Sequence, residues 1–250
     1  MLELRNVNFS YGGVKAVQDV SLDVATGQIV GLIGTNGAGK TTLFNIVSGF
    51  NRAASGSIML QGRNIAGSAP VDIAAQGLIR TFQTPIGFPR LTVYENMLVF
   101  SDCEKTTRRH LFAGGAVAPE TRDRAMGILE LFGLASKRDT WAENLSAPEL
   151  KMLEFARAIM AAPRLLLLDE PAAGVNPALL ESLGRRIVEM RDGGATFLIV
   201  DHNLKFICDV CDYIFAMADG KVIAHGKPDE ILATPAVIDL YIGSGRQKKQ

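Results

Sequence analysis

This chain has no surplus of charge, little cysteine and no long apolar run, and each lack closes off a class of function. Lysine plus arginine and aspartate plus glutamate number 26 each among 250 residues. No basic field invites nucleic acid, and no nucleic-acid partner is expected. No apolar stretch approaches the ~20 residues that a membrane-spanning helix needs. The opening MLELRNVNFSYGG lacks the basic segment and apolar core of a secretory leader. Three cysteines, Cys103, Cys208 and Cys211, suit a reducing compartment. Cys208 and Cys211 form a C-x-x-C with no second pair, on an expected helix where positions three apart share a face. They read as small buried thiols. No internal repeat is present. The chain is therefore expected to be cytosolic, with any membrane role supplied through a partner. Its 48% hydrophobic and 21% charged residues describe an ordinary globular protein.

What is present is concentrated in Gly34-Thr35-Asn36-Gly37-Ala38-Gly39-Lys40-Thr41-Thr42, which fills the G-x-x-x-x-G-K-[ST] pattern. Gln28 to Ile33 reads as a buried strand before it, and Thr41 to Ser48 as a helix ended by Gly49. That context is what a phosphate-binding loop requires. Glycines let the backbone turn successive N–H groups inward, and a helix N-terminus adds partial positive charge. Lys40 is expected to reach the β- and γ-phosphates of a nucleoside triphosphate, and the Thr41 hydroxyl to ligate Mg²⁺.

Around this loop the pattern changes along the chain. Leu2, Leu4, Val7 and Phe9, then Val20, Leu22 and Val24, follow the period of two of half-exposed antiparallel strands. Ser57 to Leu60 and Leu78 to Phe82 read as further strands. From about Thr92 to Ala161 the pattern is mainly helical, opened by the capping-box form Thr92-Val93-Tyr94-Glu95. Glu120 to Phe132 has helical spacing, and Cys103 to Pro119 reads as a loop. Leu165 to Leu168 and Thr196 to Val200 are apolar throughout, like strands of a parallel sheet covered on both faces. Pro177 to Met190 is the helix between them. Asp219-Gly220 is a hairpin signal, and Pro228 to Ile242 reads as one helical piece before a polar tail.

A second set of chemical residues gathers at strand ends. Leu165-Leu166-Leu167-Leu168-Asp169-Glu170-Pro171 places two carboxylates at the carboxyl end of a buried strand, the edge where open parallel sheets collect ligands. Asp169 is expected to hold Mg²⁺ and Glu170 to polarise the attacking water. His202 follows Asp201 just beyond another strand end and is placed to contact the γ-phosphate. Gln83, leaving a strand for the helical region, is a candidate contact for Mg²⁺ or that water. Tyr11 is a candidate platform for adenine. His110 and His225 read as structural.

In this order, these pieces resemble the ATP-binding subunit of an ABC transporter. The matching residues are Tyr11, the loop Gly34 to Thr42, Gln83, Leu145-Ser146 with the following helix, Leu165 to Pro171, and His202. Pro171-Ala172-Ala173-Gly174-Val175-Asn176-Pro177, the run Ile223 to Pro228 and Tyr241-Ile242-Gly243 are similar to the subgroup serving branched-chain amino acid importers. The resemblance implies an α/β P-loop NTPase fold, with a parallel or mixed sheet, N-terminal antiparallel strands and an inserted helical subdomain. Residues 1–84 and 162–235 would form the nucleotide-binding core, 85–161 the helical subdomain and 236–250 the C-terminal end. ATP and Mg²⁺ are the implied ligands. ATP would contact Thr35, Asn36, Gly37, Ala38, Gly39, Lys40, Thr41 and Thr42 of one subunit and Ser146 of the other, in a head-to-tail dimer. The implied partners are a second ABC ATPase subunit and membrane permease subunits, with the chain peripheral on the inner face of the plasma membrane.

One segment departs from the family pattern. Where L-S-G-G-Q is usual, this chain has Leu145-Ser146-Ala147-Pro148-Glu149. The second glycine of the family pattern offers an N–H to the partner's γ-phosphate, and Pro148 has none. A hydrogen bond to a charged group is worth roughly 1.5–3 kcal/mol, so its absence is expected to weaken closure about ten- to a hundredfold. Ser146 and Glu149 also satisfy S-x-x-E, so Glu149 is expected to fold back on the Ser146 N–H. This points to an asymmetric heterodimer, with a homodimer as the alternative arrangement. A soluble regulatory ATPase with little turnover is the competing function.

Overall fold

The computed structural model describes residues 1–81, 87–101 and 117–243. The chain packs as two units, Met1–Leu78 with Leu165–Gln250, and Ile79–Arg164.

The first unit contains an antiparallel sheet of β1 (Leu2–Tyr11), β2 (Val14–Val24), β4 (Ser55–Leu60) and β5 (Arg63–Asn64), in the order β2-β1-β4-β5. Its alternating sequence buries Leu2 and Leu4 and exposes Glu3 and Arg5. The alternation slips between Leu4 and Val7, where the register with β2 also shifts. Asn6 and Asp19 absorb that bulge at φ 50° and 53°. The Asn6 Nδ2 donates to Asp19 Oδ1 at 2.7 Å across it, a use of short polar side chains that tolerate left-handed backbone.

The second sheet runs β10-β9-β3-β8-β7-β6, from β3 (Ile29–Gly34), β6 (Leu78–Arg80), β7 (Leu165–Asp169), β8 (Thr196–Val200), β9 (Tyr213–Ala218) and β10 (Lys221–Gly226). Every residue of β3, β7 and β8 is buried, as parallel strands covered on both faces must be. β3 pairs in parallel with β8 and β9, and β7 with β8. The hairpin between β9 and β10 turns on Asp219 and Gly220, both at positive φ (47° and 77°), which is what a type I′ turn demands. Asp212 secures the start of β3 by accepting the Ile29 N–H at 2.8 Å, and is itself paired with Arg191.

Helix α1 (Lys40–Val47) adds Leu43, Phe44, Ile46 and Val47 to one apolar cluster. That cluster also takes Leu2, Leu4, Val20 and Leu22 from the antiparallel sheet and Val30, Leu32, Leu198 and Phe215 from the other. The short α2 (Pro70–Ala75), α6 (Pro177–Asp192) and α7 (Leu204–Val210) also belong to this unit. The expected single helix at the C-terminus is two, α8 (Pro228–Leu232) and α9 (Pro235–Gly243). Pro235 disfavours helical backbone at Thr234 and forces the break. Of the expected buried thiols, Cys211 is buried but Cys208 only half-buried; Cys103 lies outside the described residues.

The second unit contains α3 (Val93–Val99), α4 (Pro119–Leu131) and α5 (Ala147–Met160), with 3₁₀ turns at Ala135–Lys137 and Ala142–Asn144. The Thr92–Glu95 capping box forms, with Glu95 N–H to Thr92 Oγ1 at 3.1 Å and Thr92 N–H to Glu95 Oε2 at 2.7 Å. Asn96 is wholly buried. Its Nδ2 donates to the Phe88, Leu91 and Thr92 carbonyls, and its Oδ1 accepts from the Phe88 N–H and Arg157 Nη1.

Phe44 is fully buried at the centre of the first unit. Phe44→Ala is expected to cost about 3–5 kcal/mol of unfolding free energy, read from urea denaturation. A loss below about 1 kcal/mol would mean that α1 does not depend on this packing.

Candidate functional site

The loop between β3 and α1 is shaped by backbone crowding. Gly34 lies at φ 151° and Gly39 at φ 99°. A Cβ at Gly34 would sit 2.3 Å from the Met217 carbonyl oxygen, and one at Gly39 would sit 2.3 Å from that of Ala16. Neither position admits a side chain, because both approaches are to backbone. Gly37 also has positive φ, 84°, yet a Cβ there would meet nothing within 4 Å, so its freedom serves the turn itself. No side chain caps α1 at Gly39, and the N–H groups of its first turn have no helical acceptors. Asn36, Gly37 and Thr41 are exposed and Thr35, Gly39 and Thr42 half-buried, with Ala38 and Lys40 buried. An uncapped helix start behind a glycine turn fits an anion.

Lys40 bends back over this loop. Its Nζ donates to the Gly34 carbonyl at 2.7 Å and the Thr35 carbonyl at 2.9 Å. Burial lowers its pKa, while the nearby carboxylates of Glu170, Asp169 and Asp201 push it back up. A desolvated ammonium amid three carboxylates is poised to exchange weak carbonyl partners for phosphate oxygens.

Register brings those carboxylates to the same edge. In the sheet, Leu32 of β3 is level with Val200 of β8, which is level with Asp169 of β7. Asp201 and Glu170 follow directly on those strand ends and the loop follows β3 at Gly34, so loop, carboxylates and His202 all lie beyond the carboxyl ends of neighbouring parallel strands. Asp169 is 5% exposed. Glu170 takes φ 50°, an uncommon conformation for a glutamate and a mark of strain held by its surroundings. Its N–H donates to the Val200 carbonyl at 2.8 Å. His202 Nδ1 lies 4.0 Å from Glu170 Oε1 and 3.8 Å from Asp201 Oδ1, with its side chain 60% exposed.

Asp201 is a residue that sequence reasoning named only as a neighbour. It is wholly buried, accepting the Ala172 N–H on Oδ2 and the Asn203 N–H on Oδ1, both at 2.8 Å. It thereby ties the turn after Glu170 to the turn after β8. The D-x-N spacing with Asn203, which caps α7 through Phe206 N–H, was the available signal. Asn176 likewise caps α6 by accepting the Leu179 N–H at 2.9 Å.

Tyr11 closes β1, half exposed at 52%. Its ring meets Phe9 edge-on at 4.8 Å, and its hydroxyl accepts from Asn51 Nδ2 at 2.8 Å. Gln83 and His110 lie outside the described residues. His225 bonds to the Tyr213 hydroxyl through Nδ1 at 2.7 Å. Thr41 and Asp169 would offer oxygen ligands of the kind Mg²⁺ accepts; among the described residues, no cluster of three or more His, Cys, Asp or Glu could hold a metal ion.

Ser146 heads α5 in the second unit. Its N–H and hydroxyl both donate to Glu149 Oε2, at 2.9 and 2.8 Å, while Lys137 bonds Glu149 Oε1. The expected fold-back of Glu149 is thus present, with a lysine that the sequence did not single out. The Lys137 ammonium, then the two Ser146 donors, hold the Glu149 carboxyl down at about 2. The stabilisation is complete above the usual carboxyl range and lost as pH falls through about 2.

A family model described as ABC transporter matches residues 17–173. The LivG protein of Archaeoglobus fulgidus is 40% identical over 246 residues, covering 98% of this chain and 96% of that protein. The high-affinity branched-chain amino acid transport ATP-binding protein LivG of Escherichia coli K12 is 37% identical over 251 residues, with 97% and 98% covered. The lipopolysaccharide export system ATP-binding protein LptB of Haemophilus influenzae is 36% identical, with 97% of each covered. Among solved structures, the ADP conformation of an ATP-binding cassette of an ABC transporter aligns with TM-score 0.85 at 33% identity, over 97% of this chain and 98% of that one. A nucleotide-free cassette aligns at 0.83 and 31%, over 96% and 98%. With the family model spanning most of the chain and relatives of this similarity matching nearly all of it, the chain belongs to the ABC transporter family, as one of its ATP-binding cassette ATPases.

Proposed function

We propose that this chain hydrolyses MgATP within a two-subunit ATP sandwich and so drives import of a small solute, branched-chain amino acids first, through separate membrane permeases. The observation that carries the ATP chemistry is the meeting of Lys40, Asp169 and Glu170 at one sheet edge. The LivG relatives support the cargo. LptB, nearly as similar, is why cargo is a proposal apart from the chemistry. No helix among the described residues is long and apolar enough to cross a membrane, which suits attachment to the inner membrane face through permeases.

In this reading Lys40 leaves the Gly34 and Thr35 carbonyls and turns to the β- and γ-phosphates. The N–H groups of the loop and the first turn of α1, from Thr35 to Thr42, cradle the phosphate chain. Thr41, Asp169 and Gln83 would hold Mg²⁺, which would neutralise phosphate charge. Glu170, fixed in its strained turn by Val200 and by the Asp201 tie, orients and polarises the attacking water. His202, beside it, links that water to the γ-phosphate. Tyr11 offers its exposed ring to adenine. Ser146 faces the partner's triphosphate. Because Pro148 withholds a donor, the site built on this chain's signature is the weaker one, and a heterodimer with a second ABC ATPase subunit is the favoured assembly. The retained Glu170 speaks against a regulatory subunit with little turnover.

Lys40→Ala is expected to weaken MgATP binding by about tenfold or more, read by calorimetry; unchanged affinity would remove Lys40 from the site. Glu170→Gln should bind ATP normally while turnover falls about a hundredfold or more, and normal turnover would defeat its assignment. The purified chain alone is expected to hydrolyse ATP slowly at every protein concentration. A rate per subunit that climbs with concentration would establish a competent homodimer and end the heterodimer reading.

A further inference from the structure

The segment that would meet the partner's triphosphate already holds an anion, and that anion is its own. Ser146 has two donors, a backbone N–H and a hydroxyl, and both end on the same Glu149 oxygen. Pro148, between them in sequence, has no N–H to add. A terminal phosphate oxygen that carries no proton can only accept, so it needs donors that Glu149 is using. The other Glu149 oxygen is held by the Lys137 ammonium, at the end of the turn Ala135–Lys137.

We propose that Glu149 is an internal stand-in for the partner's phosphate and that Lys137 is its counter-ion, a positioning residue that lets closure proceed. The idea rests on the preceding reading that Ser146 faces a triphosphate. When the phosphates arrive, Glu149 has to release Ser146 yet stays close to a polyanion. Lys137 then neutralises it and draws it aside. Without Lys137, an uncompensated carboxylate would face the triphosphate, and like charges oppose closure. Without the charge on Glu149, Ser146 would be held only by a neutral group that a phosphate displaces more easily, and Lys137 would be dispensable. The carboxyl is held at about 2, so at working pH displacement, rather than protonation, is what frees Ser146.

The test is a double-mutant cycle in the full chain carrying Glu170→Gln, which keeps ATP intact. Dimerisation is followed by sedimentation with MgATP, with MgATP affinity and thermal stability measured alongside. Glu149→Gln, which keeps an N3 residue competent for a capping box, is expected to tighten ATP-dependent association about tenfold. Lys137→Met is expected to weaken or abolish it, with MgATP affinity unchanged. The double variant should associate at least as well as the native sequence. A loss that persists in the double variant would mean that Lys137 touches phosphate directly, and overturns the proposal. So does a Lys137→Met variant that associates normally, because the pair is then an ordinary surface ion pair. MgATP binding without association by any variant overturns it too, while leaving the phosphate-loop reading standing. Failure of the native chain to bind MgATP defeats that reading first.

Discussion

The parallel pairing of β3, β8 and β7 is the constraint on which the rest of the nucleotide site depends. Leu32, Val200 and Asp169 lie on one rung, where β7 and β8 end while β3 runs on to Gly34. A slip of one residue in any of them would turn its side chains to the opposite face of the sheet. Burial on both faces, complete for all three strands, makes such a slip costly. The buried Asp201 then joins two of the turns beyond the edge through the Ala172 and Asn203 N–H groups. The position proposed for the attacking water is thus set by a carboxylate two turns removed from it.

Strain and desolvation are both present at this edge. Glu170 holds a positive φ, and Gly34 and Gly39 occupy positions where a Cβ would strike backbone. Lys40 is buried and donates to the Gly34 and Thr35 carbonyls. Each is a local cost held in place by its surroundings. The second unit combines local helix caps with links between distant segments. A capping box starts α3, the buried Asn96 saturates its surroundings, and Glu149 occupies the head of α5.

Similarity to known cassettes is spread over almost the whole chain, and Ala147-Pro148-Glu149 stands where the family pattern has G-G-Q. A scaffold so widely shared constrains the ATP chemistry more than the cargo. LivG and LptB relatives stand within a few per cent of one another in identity, while what each is named for lies with molecules that this chain does not itself enclose.

Local chemistry was enough to read much of this protein from sequence. Buried strands show as unbroken apolar runs, and the hairpin shows in Asp219-Gly220, because both follow from steric rules within a few residues. The same holds for the Thr92 and Ser146 helix starts. The phosphate-loop pattern was legible because Gly34, Gly37 and Gly39 all take positive φ, although the crowding at Gly34 and Gly39 comes from the distant Met217 and Ala16 backbone. Breaks such as Pro235 were readable in principle and were missed by following apolar spacing across a proline. What only the tertiary structure decided are meetings between distant segments: Asp201 with Ala172, Lys40 with the carboxylates of two other strand ends, and Lys137 with Glu149. Spacing along a chain carries no information about such pairs, because their distance is set by sheet order, strand register and the packing of turns.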